Sequence, residues 1–477
     1  MKDIIQTAFD ADTFRAQGHQ LIDLLANHLE NSTTGKTTHA QKWGTPSKRL
    51  HFWEAEWEKE GFDLNTFTQQ ILEQSLHLHH PKYVGHQVGV SAPITVLMSM
   101  ISSMLNNGMA IYEVGQAATV IEQLVMKQVA TRFGFGSNSG GILTSGGTLG
   151  NLTALITARN VKAQGSVWKN GQQQQLAIMV SEEAHYCVDR AVRTMGWGEQ
   201  GIIKVPVNEA FRMKTAVLPD LLAKAKSQNI QVIAVVGSAC STSTGSFDDL
   251  GAIADFCEAN DLWFHVDGAH GGAAIFSDEH RHLLAGIERA DSIIMDFHKM
   301  LLTPALTTGV FYKNAQQSYQ TFAQKAHYLW SNSESAEWYN LGKRTYECTK
   351  LMMSIKLYAI LKAHGFELWE QYVKRTFELG KQFADLIQET PNFELALEPD
   401  CNIVCFRYLA NQDLNQLNSA IRQQLLEEGE FYLVQTQLKG KTYLRTTLMN
   451  PFTTIDHLKL LLERVEEKGL AMVAVNG

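Results

Sequence analysis

At 477 residues, with 45% apolar and 19% charged positions and no long polar tract, the chain is too long for one small core, and two or three globular domains are expected. A net charge of -8, from 49 acidic residues against 41 Lys and Arg, excludes the basic footprint of a nucleic-acid binder. Six cysteines (Cys187, Cys240, Cys257, Cys348, Cys401 and Cys405) make no CxxC pair and no zinc spacing, which suits a reducing cytoplasm.

The opening stretch MKDIIQTAFDADTF has no basic region followed by an apolar core, so no secretion signal is expected. Between Ala16 and Glu30, Leu21, Leu24, Leu25 and Leu29 recur at helical spacing and predict an amphipathic helix, whose stripe must bury against its own chain or a second subunit. Asn31 to Lys42 is polar and reads as a linker, with a domain boundary near residue 75. His77, His79, His80 and His86 cluster in sequence, but no carboxylate or cysteine completes a ligand spacing, so no metal is assigned. The longest apolar run, Ala92 to Leu105, is too short and too rich in serine to span a bilayer.

Thr119 to Phe133 predicts a helix. After it, GGILTSGGTLGNLTALITARN carries an apolar run into Ser145, Gly146, Gly147 and Thr148, with a helix from about Leu149. Small residues and hydroxyls at a helix N-terminus make a phosphate seat, although the stretch is neither a Walker loop nor GxGxxG. Leu176 to Val180 reads as a buried strand, with His185 just beyond its end, placed either to cap the following helix or to stack on a flat ring. Gln231 to Gly237 is another strand, followed by the hydroxyl-rich SACSTSTG segment.

Trp263 to Val266 and Ser292 to Met295 complete a βαβ pattern, and so a mostly parallel sheet. Asp267 ends the first of these runs, and His298 and Lys299 follow the second. In an open α/β sheet ligands bind at the carboxyl ends of strands, which places both charged groups in one pocket. A lysine in apolar surroundings is a nucleophile toward an aldehyde, and a carboxylate can hold a proton on a pyridine nitrogen. The pair points to pyridoxal 5'-phosphate. GVFYKN reads as one more strand. Ala315 to Leu341, polar and aromatic with His327, Tyr328, Trp330, Trp338 and Tyr339, reads as an active-site cover. Gly342 to Gly365 is predicted helical throughout, and strands are expected at Ile403 to Arg407 and Tyr443 to Arg445.

HVDGAHGG, DFHKM, the SGGT turn and STSTG together resemble the group II pyridoxal-phosphate-dependent amino-acid decarboxylases, from about His80 to the C-terminus. The resemblance implies a fold type I, aspartate aminotransferase-like α/β architecture. It would comprise an N-terminal helical, dimer-packing segment (1–75), a large cofactor domain (76–345) and a small α+β domain (346–477). It implies that Lys299 carries the cofactor, Asp267 keeps the ring nitrogen protonated and His185 stacks on the ring. Gly146, Gly147, Thr148 and His298 would surround the phosphate, and Thr242 and Ala269 the ring. Arg344 would hold the substrate carboxylate, Tyr328 would donate the proton to the α-carbon, and His86 would line the substrate pocket. A homodimer with shared active sites and an amino-acid substrate follow, with no membrane partner.

Two departures stand out. Asp296-Phe297 replaces the Asn-Pro of many members, and the stretch between Tyr328 and Arg344 is several residues shorter. HP-x-x-x-x-H is closest to the 2,4-diaminobutyrate decarboxylases, with glutamate, aspartate and aromatic amino acids as alternative substrates. Transamination or aldehyde synthesis is the rival chemistry. Tyr328 argues against the aldehyde synthases, which resemble decarboxylases with phenylalanine there.

Overall fold

Seven short strands, β1 (Gly140–Thr144), β2 (Leu176–Ser181), β3 (Ile202–Val205), β4 (Gln231–Ser238), β5 (Trp263–Asp267), β6 (Ser292–Asp296) and β7 (Thr308–Tyr312), form one sheet in the order β1-β7-β6-β5-β4-β2-β3. This computed structural model describes residues 3–319, 321–322 and 337–476. From β3 to β6 neighbouring strands are parallel, and β7 runs antiparallel to both β6 and β1. All residues of β1, β2, β5, β6 and β7 are buried, because helices cover both faces, which is why these strands read as unbroken apolar runs. The helix Gly147–Lys162 packs Ala154, Leu155 and Ala158 into a core with Ile178, Val236 and Ile294.

A second sheet holds β8 (Phe393–Leu395), β9 (Ile403–Tyr408), β10 (Val434–Leu438) and β11 (Lys441–Thr447), all antiparallel, in the order β10-β11-β9-β8. Its core gathers Phe406, Leu444, Ile421 and Leu458. The chain divides into two units: Met1–His86, Leu379–Glu398 and Ile403–Gly477 form one, Gln87–Glu378 and Pro399–Asn402 the other.

The N-terminal periodic stretch is a helix, Ala11–Thr33, started by Asp10, whose side chain accepts from Thr13 N. Its leucines are half-buried and, of its residues, only Ser32 is fully buried. The apolar run after Ala92 is the helix Pro93–Leu105, and Leu97, Met100, Ile101 and Met104 stand exposed on it. Among the described residues, no helix is long and apolar enough to cross a membrane.

The expected helix from Gly342 to Gly365 is corrected: only Ser354–His364 is α-helical, after a single 3-10 turn at Leu341–Lys343. The intervening residues turn inward instead. Lys350 Nζ donates to Glu122 Oε1 and to Leu143 O, both at 2.6 Å, and a regular helix would carry it off that partner set.

Candidate active site

Parallel strands place their carboxyl ends along one edge, and β4, β5 and β6 bring Ser238, Asp267 and Asp296 there. Just past β6 a short helical turn, Phe297–Met300, presents Lys299, whose Nζ lies 3.3 Å from Asp296 Oδ2. These groups face a cavity of about 330 Å³ whose described lining residues belong to the larger unit.

Gly146, Gly147 and Thr148 line this cavity at the start of the helix Gly147–Lys162, where no side chain caps the first turn. Gly146 has φ 104°, which a glycine adopts at little cost. A Cβ on Gly147 would come within 3.1 Å of Asp296 Oδ2, so its missing side chain keeps the cradle open. His185 lines the wall and also starts the helix Tyr186–Thr194, its Nδ1 accepting from Cys187 N at 3.3 Å. Both readings of that histidine, cap and cavity wall, are therefore compatible. Burial, assisted by Lys299 and Arg190, lowers its pKa against the opposing pull of Asp267 and Asp296, and favours a neutral ring.

Thr242, Asp267, Ala269, His298 and Lys299 complete the predicted set on the cavity wall. Asp267 is 8% exposed; its Oδ1 accepts from Ala269 N at 3.2 Å and its Oδ2 from Asn151 Nδ2 at 3.0 Å. His298 Nδ1 accepts from Thr307 N at 3.1 Å.

Two predicted residues, Arg344 and His86, are not on this wall, and a third is not described. Tyr328 falls outside the described residues. Arg344 does not line the cavity: it is 1% exposed and its guanidinium donates to Trp338 O, Gly141 O and Ser318 Oγ at 3.1 to 3.4 Å. These acceptors hold the guanidinium inside the fold, off the described cavity wall. His86 belongs to the smaller unit, where its ring lies 5.9 Å from that of Tyr432. Burial, then Arg445 and Arg422, lower its pKa.

The sequence reading passed over several wall residues, among them Gln87, Asn151, Cys187, Asp296 and His270. The signal for Asp296 was present in its departure from Asn. Asn151 carried none, being one polar residue on a helix.

The residues present fit pyridoxal phosphate. An amine, carboxylates and an imidazole line one cavity, and an open glycine cradle lies at an uncapped helix N-terminus. Fold and cavity together define a fold type I pyridoxal-phosphate enzyme. Residues 58–409 match the family model described as the pyridoxal-dependent decarboxylase conserved domain. An L-aspartate decarboxylase of Metarhizium robertsii is 33% identical over 71% of this chain and 68% of its own length. An L-2,4-diaminobutyrate decarboxylase of Acinetobacter baumannii is 30% identical over 85% and 84%. Among solved structures, the glutamate decarboxylase domain of diaminobutyrate-pyruvate transaminase and L-2,4-diaminobutyrate decarboxylase from Vibrio parahaemolyticus superposes with a TM-score of 0.82, at 25% identity over 94% of this chain and 96% of that one. The chain belongs to the pyridoxal-dependent decarboxylase family, and it is a pyridoxal-phosphate-dependent amino-acid decarboxylase.

Proposed function

We propose that the enzyme removes the α-carboxylate of a small polar or charged L-amino acid, with L-2,4-diaminobutyrate first and glutamate, aspartate or an aromatic amino acid as alternatives. The observation that carries the residue assignment is the meeting of Lys299, Asp267 and His185 on one cavity beside the glycine cradle. When bound, pyridoxal phosphate supplies the sink for the electron pair left behind as carbon dioxide departs. Lys299 would hold it through its amine, Asp267 would keep a proton on the ring nitrogen, and His185 would lie against the ring. Gly146, Gly147, Thr148 and His298 receive the phosphate, and Thr242 and Ala269 flank the ring. Tyr328 protonates the α-carbon. His86 contributes to substrate recognition, and Arg344 is the arginine to test against the substrate carboxylate.

Support for diaminobutyrate comes from a relative of that name matched over most of both chains, while relatives named for aspartate match at similar identity, one of them over a similar span. We also propose a cytoplasmic homodimer, in which the half-buried leucine stripe of Ala11–Thr33 and the exposed apolar residues of Pro93–Leu105 meet a second copy.

The test is carbon dioxide release by the cofactor-loaded protein from a panel of diaminobutyrate, glutamate, aspartate, cysteine sulfinate, lysine, ornithine, histidine and the aromatic amino acids. Release from diaminobutyrate with equal amine formed is the expected result. Release from another member alone, or carbonyl product in place of amine, overturns the substrate or the reaction respectively. A monomeric mass for the fully active enzyme overturns the dimer.

A further inference from the structure

Behind Asp267 runs a buried chain of polar groups that the reaction itself does not use. Trp263 Nε1 and Ser292 Oγ lie 2.8 Å apart, Ser292 Oγ and His265 Nδ1 2.8 Å, His265 Nε2 and Asn151 Oδ1 2.8 Å, and Asn151 Nδ2 and Asp267 Oδ2 3.0 Å. Trp263, His265 and Ser292 are 0% exposed and Asn151 1%.

The two ends fix the direction of every bond between them. An indole N–H can only donate, and an ionised carboxylate can only accept. Asp267 therefore accepts a hydrogen bond from the Asn151 amide nitrogen, which turns the amide oxygen toward His265. That oxygen must receive a hydrogen, so His265 carries its proton on Nε2 and offers a lone pair at Nδ1. Ser292 must then donate to Nδ1, and its own oxygen accepts from Trp263. Asn151 spends its second amide hydrogen on Cys187 Sγ at 3.2 Å. Each donor thus has an acceptor, in one sense only, from Trp263 to Asp267.

A charge in this chain would defeat its purpose. An imidazolium at His265 would compete with a protonated ring nitrogen for the Asp267 carboxylate. Burial opposes that charge and holds His265 down at about 4.

We propose that Asn151, His265 and Ser292 are positioning residues: through a one-way chain of neutral hydrogen bonds they aim Asp267 at the cofactor's ring nitrogen and leave its charge for that nitrogen's proton. The proposal rests on the reading of Asp267 as the ring partner. None of the three reacts with substrate. Their effect appears in how tightly the cofactor is held and in how far its ring nitrogen is protonated.

The experiment uses holoenzyme loaded with pyridoxal phosphate labelled with nitrogen-15 in the ring, together with nitrogen-15 histidine, and reads both by solid-state NMR. In the unmutated enzyme His265 is expected as the neutral Nε2–H form at pH 7.5; the Nδ1–H form or an imidazolium overturns the proposal without any variant. In Asn151→Leu the ring nitrogen is expected to move toward its unprotonated shift, and cofactor affinity by equilibrium dialysis to fall about ten-fold, the scale on which losing an orienting partner acts. Ser292→Ala gives a smaller change in the same direction, which Ser292→Thr restores by returning the hydroxyl. Unchanged ring shift and affinity in Asn151→Leu, or in Ser292→Ala should Asn151→Leu fail to fold, overturn the proposal. Asp267→Asn separates the two claims. If it leaves the ring protonated, the reading of Asp267 fails; if it deprotonates the ring while the Asn151 and Ser292 variants do not, only the positioning chain fails.

Discussion

Lys299 Nζ sits 3.3 Å from Asp296 Oδ2, so the proposed cofactor lysine is paired with a carboxylate that ends its own strand. Asp296 is 2% exposed, accepts from Thr308 Oγ1, and lies against the Gly147 cradle. If the phosphate seats there, two anions approach one another in a poorly solvated place, and like charges so placed weaken binding. Asn, which many family members resemble one another in carrying here, keeps an acceptor for Thr308 without the charge. Asp296→Asn is therefore expected to tighten pyridoxal phosphate a few-fold in equilibrium dialysis. Looser binding would show that the carboxylate serves the cofactor, by keeping Lys299 in place, more than it repels the phosphate.

A second carboxylate has the opposite standing. Glu122 and Lys350 are 2.6 Å apart with side chains each 1% exposed, and Glu122 Oε1 also accepts from Leu143 N at 2.9 Å. Lys350→Met leaves the buried carboxylate without its cation, a loss on the order of 3–5 kcal/mol. The thermal midpoint should fall by several degrees, and Glu122→Gln added to Lys350→Met should recover part of it. A double variant no better than the single would mean that lost packing, not the stranded charge, sets the cost.

Two buried groups with opposed shifts contribute to how stability responds to acid. His265 has a folded pKa of about 4, below the 6.5 of the free side chain, so the unfolded chain binds the proton first. Its contribution is complete above about pH 6.5 and drains away at ~1.4 kcal/mol per pH unit as pH falls toward 4. Asp248 acts the other way. Burial raises it to about 6 from 3.8, so the folded chain takes up the proton first and stability rises as pH falls through that window. The two partly cancel. Asp248→Asn removes the opposing member, and its thermal midpoint, referred to its own value at neutral pH, should drop more steeply between pH 6 and pH 4 than that of the unmutated protein. Parallel curves would rule this balance out.

What was legible in the sequence follows from where burial is two-sided. Leu176 to Val180, Gln231 to Gly237 and Trp263 to Val266 announce themselves because central strands have both faces covered, and each is a strand within one or two residues of the expected bounds. Lys299 and Asp267 were found because strand ends are where such folds keep ligands. The residues from Gly342 up to Met353 misled for the converse reason. Their spacing suits a helix, but Lys350 is held by Glu122 and Leu143, more than 200 positions away in sequence, and no local pattern records such a partner. Asn151, His265 and Ser292 were hidden likewise: they come from one helix and two strands, and only the sheet order brings them together.

One glycine carries a sharper prediction than any charged residue. Gly89 N donates to His298 O at 3.3 Å, and Ala92 N, three positions on, to Leu302 O at 2.8 Å, so this stretch runs closely along the turn that bears Lys299. A Cβ on Gly89 would stand 2.0 Å from Lys299 O, a backbone atom that cannot rotate away. Either the stretch or the lysine turn must shift, and a displacement on the order of 1 Å at a reacting group costs about a hundred-fold in rate. Gly89→Ala is expected to fold, because one local shift relieves the clash, but to take up little pyridoxal phosphate and to show weak borohydride fixation of the cofactor on Lys299. Gly136→Ala, whose added methyl meets nothing within 4 Å, is the matched control and should load normally. Full loading and turnover in Gly89→Ala would mean that the Lys299 turn tolerates movement, and the same tolerance would then weaken any argument from its fixed distance to Asp296.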